Sequence, residues 1–264
     1  MKAIAAVLAA LAIAAGTVGQ SSAATAVSSN WGGYAVTGTT FESVSGTWVQ
    51  PSADCSSTTG ETTASAFWVG LGGDSDTSSA LEQTGTEADC LANGTTRYTA
   101  WYELVPVASV RVALSVSAGD KLAAALRVDG TKVTVRLHNL TTGKSFTKSL
   151  RMSAPDTASA EWIAEAPSAV TGRGTVTLPL TDFGTVRFTS ATATSASGRT
   201  GTVSDSAWTA SRILLEGGNG GGPGNFGPYA PEGSGTEAVP GTLSSRGAFS
   251  IRWRQTSAVT SRPF

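Results

Sequence analysis

Histidine, cysteine and charge are all scarce in this sequence. Its 264 residues include one histidine and two cysteines, and charged residues make up 14%. His138, Cys55 and Cys90 are too few to form a zinc site, so we expect no metal and no other cofactor. A Ser/His/Asp triad would have to use His138, which lies in a strand-like run, and the sequence has no Gly-x-Ser-x-Gly motif.

Strong net charge and long apolar runs are also missing. The net charge is −1 at pH 7, which predicts no nucleic acid partner and no anionic membrane partner. No apolar run approaches the roughly 20 residues of a transmembrane helix. The N-terminus instead resembles a secretory signal, with Lys2, an apolar run at 3–15 and a cleavage pattern at Ala24-Thr25-Ala26. We therefore predict a signal peptide at 1–26 and a secreted, extracellular monomer with a single domain at 27–264.

The two cysteines are predicted to pair. Secreted proteins fold in an oxidising environment, where Cys55 and Cys90 form a disulfide by default. The bond would connect the loop after Pro51 to the region after Gln83.

Helical periodicity over three turns is absent after the signal, and strand patterns replace it. Apolar residues alternate with small or polar ones at 110–116, 122–128 and 133–137, and Asp129-Gly130 is typical of a hairpin turn. This pattern predicts a β-meander with one buried face. Many short strands with Gly and Ser turns predict two packed antiparallel sheets.

Two further segments have no strand pattern. Residues 217–235 are rich in glycine, which predicts a flexible loop. The loop is either an uninvolved surface insertion or a flap over the site. The tail at 256–264 is expected to fray.

Two glutamates stand four residues apart in a segment rich in β-preferring residues. On a strand, Glu161, Ile163 and Glu165 share one face, because side chains alternate with a period of two. Two carboxylates are costly in a closed core, so this face is expected to be solvated or to line a cleft. The pattern alone leaves a solvated edge open as the alternative.

Five short motifs around this segment resemble those of the glutamic peptidases, also called eqolisins, in the same order along the chain. The resemblance covers about residues 29–208 and the strand near 249–254. The motifs are Ser29-Asn30-Trp31-Gly32-Gly33-Tyr34, Phe67-Trp68-Val69-Gly70, Gln83-Thr84-Gly85, Tyr98-Thr99-Ala100-Trp101-Tyr102-Glu103 and Ala160-Glu161-Trp162-Ile163-Ala164-Glu165.

The resemblance implies a fold and a site. The fold is all-β, a sandwich of the jelly-roll, concanavalin-like kind with a concave substrate groove. Gln83 and Glu165 would form the catalytic dyad, and Glu161 would be structural or support the site. Trp31, Trp68, Trp101 and Glu103 would line the groove and bind polypeptide substrates, although each tryptophan is also a candidate for the core.

The chemistry of the two predicted catalytic side chains suits hydrolysis of a peptide bond by water. Glu165, with a reference pKa near 4.3, would be partly ionised in mild acid and could take a proton from water. Gln83 cannot ionise, and its amide can stabilise the oxyanion and help hold the water. The predicted function is therefore that of an acid endopeptidase.

Two alternative functions stay open. A lectin-like sandwich could stack sugars on the tryptophans, and a glycoside hydrolase could use Glu103 and Glu165 as its acid and nucleophile. The motif at Gln83 favours the peptidase, because neither sugar function requires a glutamine there. The sequence also departs from the fungal pattern, since Gly72 stands where fungal members carry an aspartate.

Overall fold

The computed structural model describes residues 23–57, 60–75, 78–171, 174–217 and 235–256. These ranges contain strands and no helix, in agreement with the alternating sequence patterns. Most of the predicted signal, of the Gly-rich loop and of the tail lies outside the described residues. The strands are β1 (Ala24–Ser28), β2 (Trp31–Thr37), β3 (Phe41–Val49), β4 (Ala66–Leu71), β5 (Leu81–Cys90), β6 (Thr96–Val105), β7 (Val107–Arg111), β8 (Lys121–Asp129), β9 (Lys132–Asn139), β10 (Lys144–Arg151), β11 (Ala160–Glu165), β12 (Ser168–Thr171), β13 (Gly174–Thr177), β14 (Thr185–Ser195), β15 (Thr200–Thr202), β16 (Thr209–Glu216), β17 (Thr236–Pro240) and β18 (Phe249–Gln255).

The strands form two layers, which we call the front sheet and the back sheet. The front sheet has the order β7-β6-β5-β4-β11-β2-β16-β17-β18 and continues into the first half of β14. The back sheet has the order β10-β9-β8-β3 and continues into the second half of β14 and β15. All of these neighbours are antiparallel, while β1 pairs with β16 in parallel and β12 and β13 form a separate ladder. The predicted all-β sandwich is confirmed.

Strand β14 belongs to both layers. Its residues Thr185 to Phe188 pair with β18, whereas Thr189 to Ser195 pair with β3. The register shifts between Thr189 and Thr192, and Ser190 between them has a φ of 51°. An irregularity of this kind bends a strand, so β14 turns the corner from one sheet to the other.

The main hydrophobic core lies between the two sheets. Phe67 and Val69 of the front sheet and Leu122 and Leu126 of the back sheet are at most 1% exposed. Two tryptophan side chains also cross the interface with their indole N–H groups. Trp48 Nε1 donates to Thr86 Oγ1 at 3.1 Å, and Trp162 Nε1 donates to the Ser45 carbonyl at 2.8 Å. These bonds satisfy buried donors and fix the two layers against each other.

The predicted meander is correct at two of its three alternating segments. Residues 122–128 lie in β8 and residues 133–137 lie in β9, joined at Gly130 with a φ of 58°. The run at 110–116 is different, because β7 ends at Arg111. Leu114 and Val116 are buried in the core from a loop, so their alternation reflects packing without a strand ladder.

The first strand includes the predicted cleavage site. Ala24, Thr25 and Ala26 pair with Ser211, Arg212 and Ile213 of β16. Cleavage after Ala26 would therefore divide β1, and the signal peptide stays a prediction. In the described part of the chain, no helix is long and apolar enough to cross a membrane.

The predicted disulfide is confirmed. Cys55 and Cys90 are bonded, with 5.4 Å between their Cα atoms and a sequence separation of 35. The bond ties the loop after β3 to the end of β5, the strand that carries Gln83.

Removing this bond is expected to destabilise the fold. A closed loop of this length restricts the unfolded chain, so the Cys55→Ser/Cys90→Ser variant should lose about 3–4 kcal/mol of unfolding free energy. Urea unfolding followed by tryptophan fluorescence measures the difference. A loss below about 1 kcal/mol would show that loop closure contributes little in this protein.

Candidate active site

The candidate residues lie on the face of the front sheet that turns away from the back sheet, which we call the site face. Strand alternation puts Trp162 and Ala164 into the main core, and Ile163 on the site face. Ile163 belongs to a second buried cluster with Trp31, Trp68, Leu81, Trp101, Ala35, Ala66 and Ile213. Glu161 and Glu165 share the face of Ile163, as the strand pattern predicted.

The central row of this face consists of Ile163, Trp68, Gly85 and Trp101 on four adjacent strands. Gly85 is required there, because a Cβ at this position would lie 2.1 Å from the Phe67 carbonyl oxygen and 2.6 Å from Trp68 Cβ. The glycine of the Gln83-Thr84-Gly85 motif thus lets β5 lie close against the Trp68 side chain.

Three predicted substrate-binding tryptophans form the floor of this face. Trp31 is 3% exposed, Trp68 is fully buried and Trp101 is 4% exposed. The Trp31 and Trp68 rings meet edge to face with 5.1 Å between their centroids. Packing of this kind orients the indole N–H groups of the two rings. The indole N–H of Trp101 has no hydrogen-bond partner among the described residues.

Glu165 is held by two donors. Trp68 Nε1 donates to Glu165 Oε2 at 2.7 Å, and Asn30 Nδ2 donates to Glu165 Oε1 at 3.3 Å. Burial, with the negative charge of Glu103 as the next cause, raises the pKa of Glu165 to about 8, although these hydrogen bonds favour the ionised form. The carboxyl group therefore holds its proton in mild acid, unlike the partly ionised group expected from the reference value.

Gln83 is paired with Glu103. Its Nε2 donates to Glu103 Oε2 at 2.7 Å across the β5-β6 ladder, while its Oε1 is buried without a partner. Burial raises the pKa of Glu103, and the bond from Gln83 opposes that rise. An ionised carboxyl group can only accept from an amide N–H, so the pairing uses Nε2 of Gln83 and leaves Oε1 to accept a hydrogen bond from another group.

All six residues predicted for the site lie on the site face. Trp68 contacts Glu165 directly, and Gln83 contacts Glu103 directly. Gln83 and Glu165 make no direct hydrogen bond in the described structure. Glu103 lies between their roles, because it accepts a hydrogen bond from Gln83 and its negative charge raises the pKa of Glu165. The roles of these residues in catalysis stay a prediction.

Sequence reasoning did not assign Asn30 a role, although Asn30 stands in one of the five motifs. Its backbone is fixed by Ser28, whose Oγ accepts from the Asn30 and Trp31 amides at 3.4 and 3.1 Å. The residue reaches Glu165 across a sequence separation of 135, because β11 pairs with β2. Its position beside Trp31 in the motif was the only signal available.

A second set of acids, which we call the acid cluster, consists of Asp74, Glu82, Asp156 and Glu161. Burial, followed by weaker effects that include the charge of Asp156, raises the pKa of Glu82 to about 8. Burial also raises the pKa of Asp74 to about 6, and that of Glu161 well above its usual range. Glu161 is fully buried, and neither of its carboxyl oxygens has a hydrogen-bond partner among the described residues.

Asp156 occupies the space beside Gly72, the position where the fungal pattern has an aspartate. A Cβ on Gly72 would lie 2.5 Å from Asp156 Cβ, and Gly72 has a φ of 82°. Asp156 Oδ2 accepts from Ser78 Oγ and from the Gly73 amide, and the Asp156 amide donates to Glu82 Oε1 at 3.2 Å. A carboxyl group from another loop therefore holds the segment that leads into β5.

The described residues contain no group of three or more His, Cys, Asp or Glu side chains placed to bind a metal ion. In the acid cluster, Asp156 and Glu82 accept hydrogen bonds from protein groups, and Glu161 is fully buried.

The indole N–H of Trp68 should matter more for turnover than for substrate binding. Trp68→Phe removes the donor to Glu165 Oε2, so kcat on a peptide substrate should fall about tenfold for a lost charge-assisted hydrogen bond. Trp101→Phe removes a similar volume and an unpartnered N–H. Equal kcat values for the two variants would contradict a role of Trp68 in holding Glu165.

Comparison with known proteins shows similarity to peptidases. The model of the Peptidase A4 family matches residues 29–218. Scytalidopepsin B of Scytalidium lignicola is 38% identical over 125 residues, which cover 47% of this chain and 45% of that protein. Aspergillopepsin-2 of Aspergillus niger is 30% identical over 189 residues, which cover 64% and 65%. The chain thus spans about half to two thirds of the length of these relatives.

A solved structure resembles the whole sandwich. Scytalido-glutamic peptidase with a transition state analog inhibitor superimposes with a TM-score of 0.66 at 27% sequence identity. The superposition covers 86% of this chain and 98% of that one.

Proposed function

Because this chain belongs to the Peptidase A4 family, we propose that it is a secreted acid endopeptidase that uses Gln83 and Glu165 to hydrolyse peptide bonds with water. One observation carries the proposal. A half-buried carboxyl group, held by Trp68 and Asn30, shares the site face with a glutamine whose Oε1 has no partner among the described residues. A proton donor and a water acceptor on one face are the two groups that amide hydrolysis without a metal requires.

The raised pKa decides which form of Glu165 starts the reaction. In mild acid the carboxyl group is protonated, so it donates its proton to the carbonyl oxygen of the scissile peptide. A water molecule that donates to Gln83 Oε1 attacks the carbonyl carbon, and its released proton goes to Glu165. The tetrahedral intermediate is then a neutral diol.

Collapse of this intermediate restores the enzyme. Glu165 gives its proton to the leaving nitrogen as the C–N bond breaks, and one hydroxyl of the diol returns a proton to Glu165. The products are a carboxylic acid and an amine, and no proton is gained or lost overall. Glu103 fixes the Gln83 amide by accepting from Nε2, so Oε1 stays available to the water.

The site face suits an extended polypeptide substrate. The buried tryptophans Trp31, Trp68 and Trp101 provide a rigid apolar floor beside the two polar groups. The name of the solved relative supports this assignment, since that protein is a glutamic peptidase with a transition state analog bound. The lectin and the glycoside hydrolase have no comparable support. Neither function needs a glutamine at position 83, yet Gln83 is the hydrogen-bond partner of Glu103.

Secretion is part of the proposal. It rests on the apolar N-terminal segment with its Ala-x-Ala pattern and on the Cys55–Cys90 disulfide, which is typical of oxidising compartments.

Digestion of denatured casein from about pH 2 to 9 tests the proposed activity, because Glu165, with its pKa of about 8, should work in its protonated form and lose activity as the pH rises through that value. We expect cleavage in acid that is insensitive to EDTA and to serine-directed reagents. Gln83→Ala should lower kcat by about 10²-fold, the usual cost of a lost oxyanion or water contact. Casein left intact at every pH, or cleavage that EDTA abolishes, would refute the proposed function.

A further inference from the structure

Basic residues are concentrated in three consecutive strands of the back sheet. Residues 121–151, which span β8, β9 and β10, include seven Lys and Arg residues and one acid, Asp129, for a net charge of +6. The whole chain has a net charge of −1, so the remaining residues carry −7. The acids of the site and of the acid cluster belong to the opposite sheet or its loops. The three strands β8, β9 and β10 of the back sheet therefore carry a clear excess of positive charge.

Most of these cations lie on the outer face of the back sheet. Alternation buries Leu122, Leu126 and Val133 in the core and leaves Arg127, Lys132, Arg136 and Arg151 exposed. Arg127 is paired with Glu42 at 3.1 Å. No ion pair joins Lys132, Arg136 or Arg151 to an acid of the described residues. Three cations are thus available to an external anion.

A cavity of about 390 Å³ lies on the same face, formed by β3, β8, β9 and β14. Arg127, Lys132 and Arg136 line it together with Asp129. Hydroxyl groups line most of the rest, from Ser43, Ser45, Thr134, Thr192 and Thr194. Some of them bond to each other across strands, as Ser45 does to Thr192 at 2.8 Å, which fixes their positions and leaves lone pairs for a ligand.

We propose that this outer face of the back sheet binds an acidic polysaccharide, with Lys132, Arg136 and Arg151 pairing its carboxylates and the Ser and Thr hydroxyls bonding its sugar hydroxyls. Charge complementarity supplies the attraction, and the array of fixed hydroxyls supplies directional bonds that suit a sugar chain. The residues that line the cavity include no aromatic side chain on which nucleic acid bases could stack. They also include no large apolar group exposed for insertion into a membrane.

The position of this face has a functional consequence. The back sheet and the site face are on opposite sides of the sandwich, so a polymer bound to the back sheet leaves the site face open. The protein would be held on an acidic matrix while its site remains accessible to other chains. This inference is independent of the proposed peptidase activity.

Binding of the full chain to immobilised polygalacturonate at about pH 5, where uronic carboxylates are ionised, tests the inference. The variant Lys132→Gln/Arg136→Gln/Arg151→Gln should bind at least about tenfold more weakly, the effect of losing several charge-assisted contacts. The matched control is Arg187→Gln/Arg252→Gln/Arg254→Gln, which removes the same number of exposed charges from β14 and β18. The control should bind like the wild type.

Two further comparisons separate a sugar site from general charge attraction. Thr134→Val keeps the volume and removes one lining hydroxyl, and should weaken polygalacturonate binding several-fold. Single-stranded DNA and vesicles with anionic lipids should bind at least about tenfold more weakly than polygalacturonate. Circular dichroism checks that each variant is folded. Equal binding by the triple variant and its control, or equal binding of DNA or vesicles, would overturn the inference.

Discussion

Glu165→Gln is expected to abolish nearly all peptidase activity, with kcat/KM on a peptide substrate lowered about 10²–10⁴-fold, the range for loss of a general acid–base group. Glutamine keeps the shape of the side chain and can still accept from Trp68 Nε1, but it has no proton to give to the substrate. The effect should therefore be on kcat, with KM changed little.

A matched control separates catalysis from stability. Glu216→Gln makes the same chemical change at an exposed position of β16 and should leave activity unchanged. Because burial raises the pKa of Glu165, replacing a neutral acid by a neutral amide should not weaken the fold in mild acid. A Glu165→Gln enzyme that is folded and retains more than about a tenth of the wild-type activity would exclude Glu165 as the catalytic acid.

The second large effect concerns pH. Glu82 is fully buried, and its pKa of about 8 in the folded protein exceeds the ordinary glutamate value of 4.5 expected in the unfolded chain. Below about pH 4.5 Glu82 is protonated in both the folded and the unfolded chain, so its titration costs no stability. Between about 4.5 and 8 the unfolded chain loses the proton first, so stability falls as pH rises, by about 4 kcal/mol over this window.

Glu82→Gln removes this titration. The variant and the wild type should have similar unfolding free energies near pH 4, and the variant should be more stable near pH 8 by about 2–4 kcal/mol. Urea unfolding at the two pH values measures the difference, with Glu216→Gln as the control for the loss of one exposed acid. If the unfolding free energies of Glu82→Gln and of the wild type fell by the same amount between the two pH values, the titration of Glu82 would not contribute to the pH dependence of stability.

The rest of the acid cluster should act in the same direction. Burial is the main cause of the raised pKa at Glu161, and the negative charges of Asp74, Asp156 and Glu82 raise it further. No Lys or Arg is among the groups that shift the pKa values of Asp74, Glu82 or Glu161. Ionisation of these acids at neutral pH is therefore opposed by desolvation and by mutual repulsion, with no neighbouring positive charge to offset them, so the fold is suited to acid conditions.

Much of the site was predictable because strand alternation is a local property. The pattern at 160–165 correctly puts Glu161, Ile163 and Glu165 on one face, since a period of two depends only on the backbone of β11. The five motifs all lie in neighbouring strands of the front sheet, β2, β11, β4, β5 and β6. The cysteine pair followed from the presence of only two cysteines.

Other features required the packed molecule. The alternation at 110–116 predicts a strand, but residues after Arg111 are buried from a loop, because burial and ladder formation produce the same sequence pattern. The corner in β14 was not visible in the sequence, since the strand has no glycine or proline to mark a bend and its two halves are distinguished by the partner strand that each one meets. Asp156 gave no signal of its own, although it holds Gly73 and Ser78.

The sequence by itself determined most of the strands and which side chains of a strand share a face, because both follow from the alternation of a single strand. Only the tertiary structure decided that β11 lies between β2 and β4, which brings Asn30 and Trp68 to Glu165 across separations of 135 and 97 residues. It also decided the protonation of Glu165, because a pKa depends on desolvation and neighbouring charges that exist only after distant strands have packed.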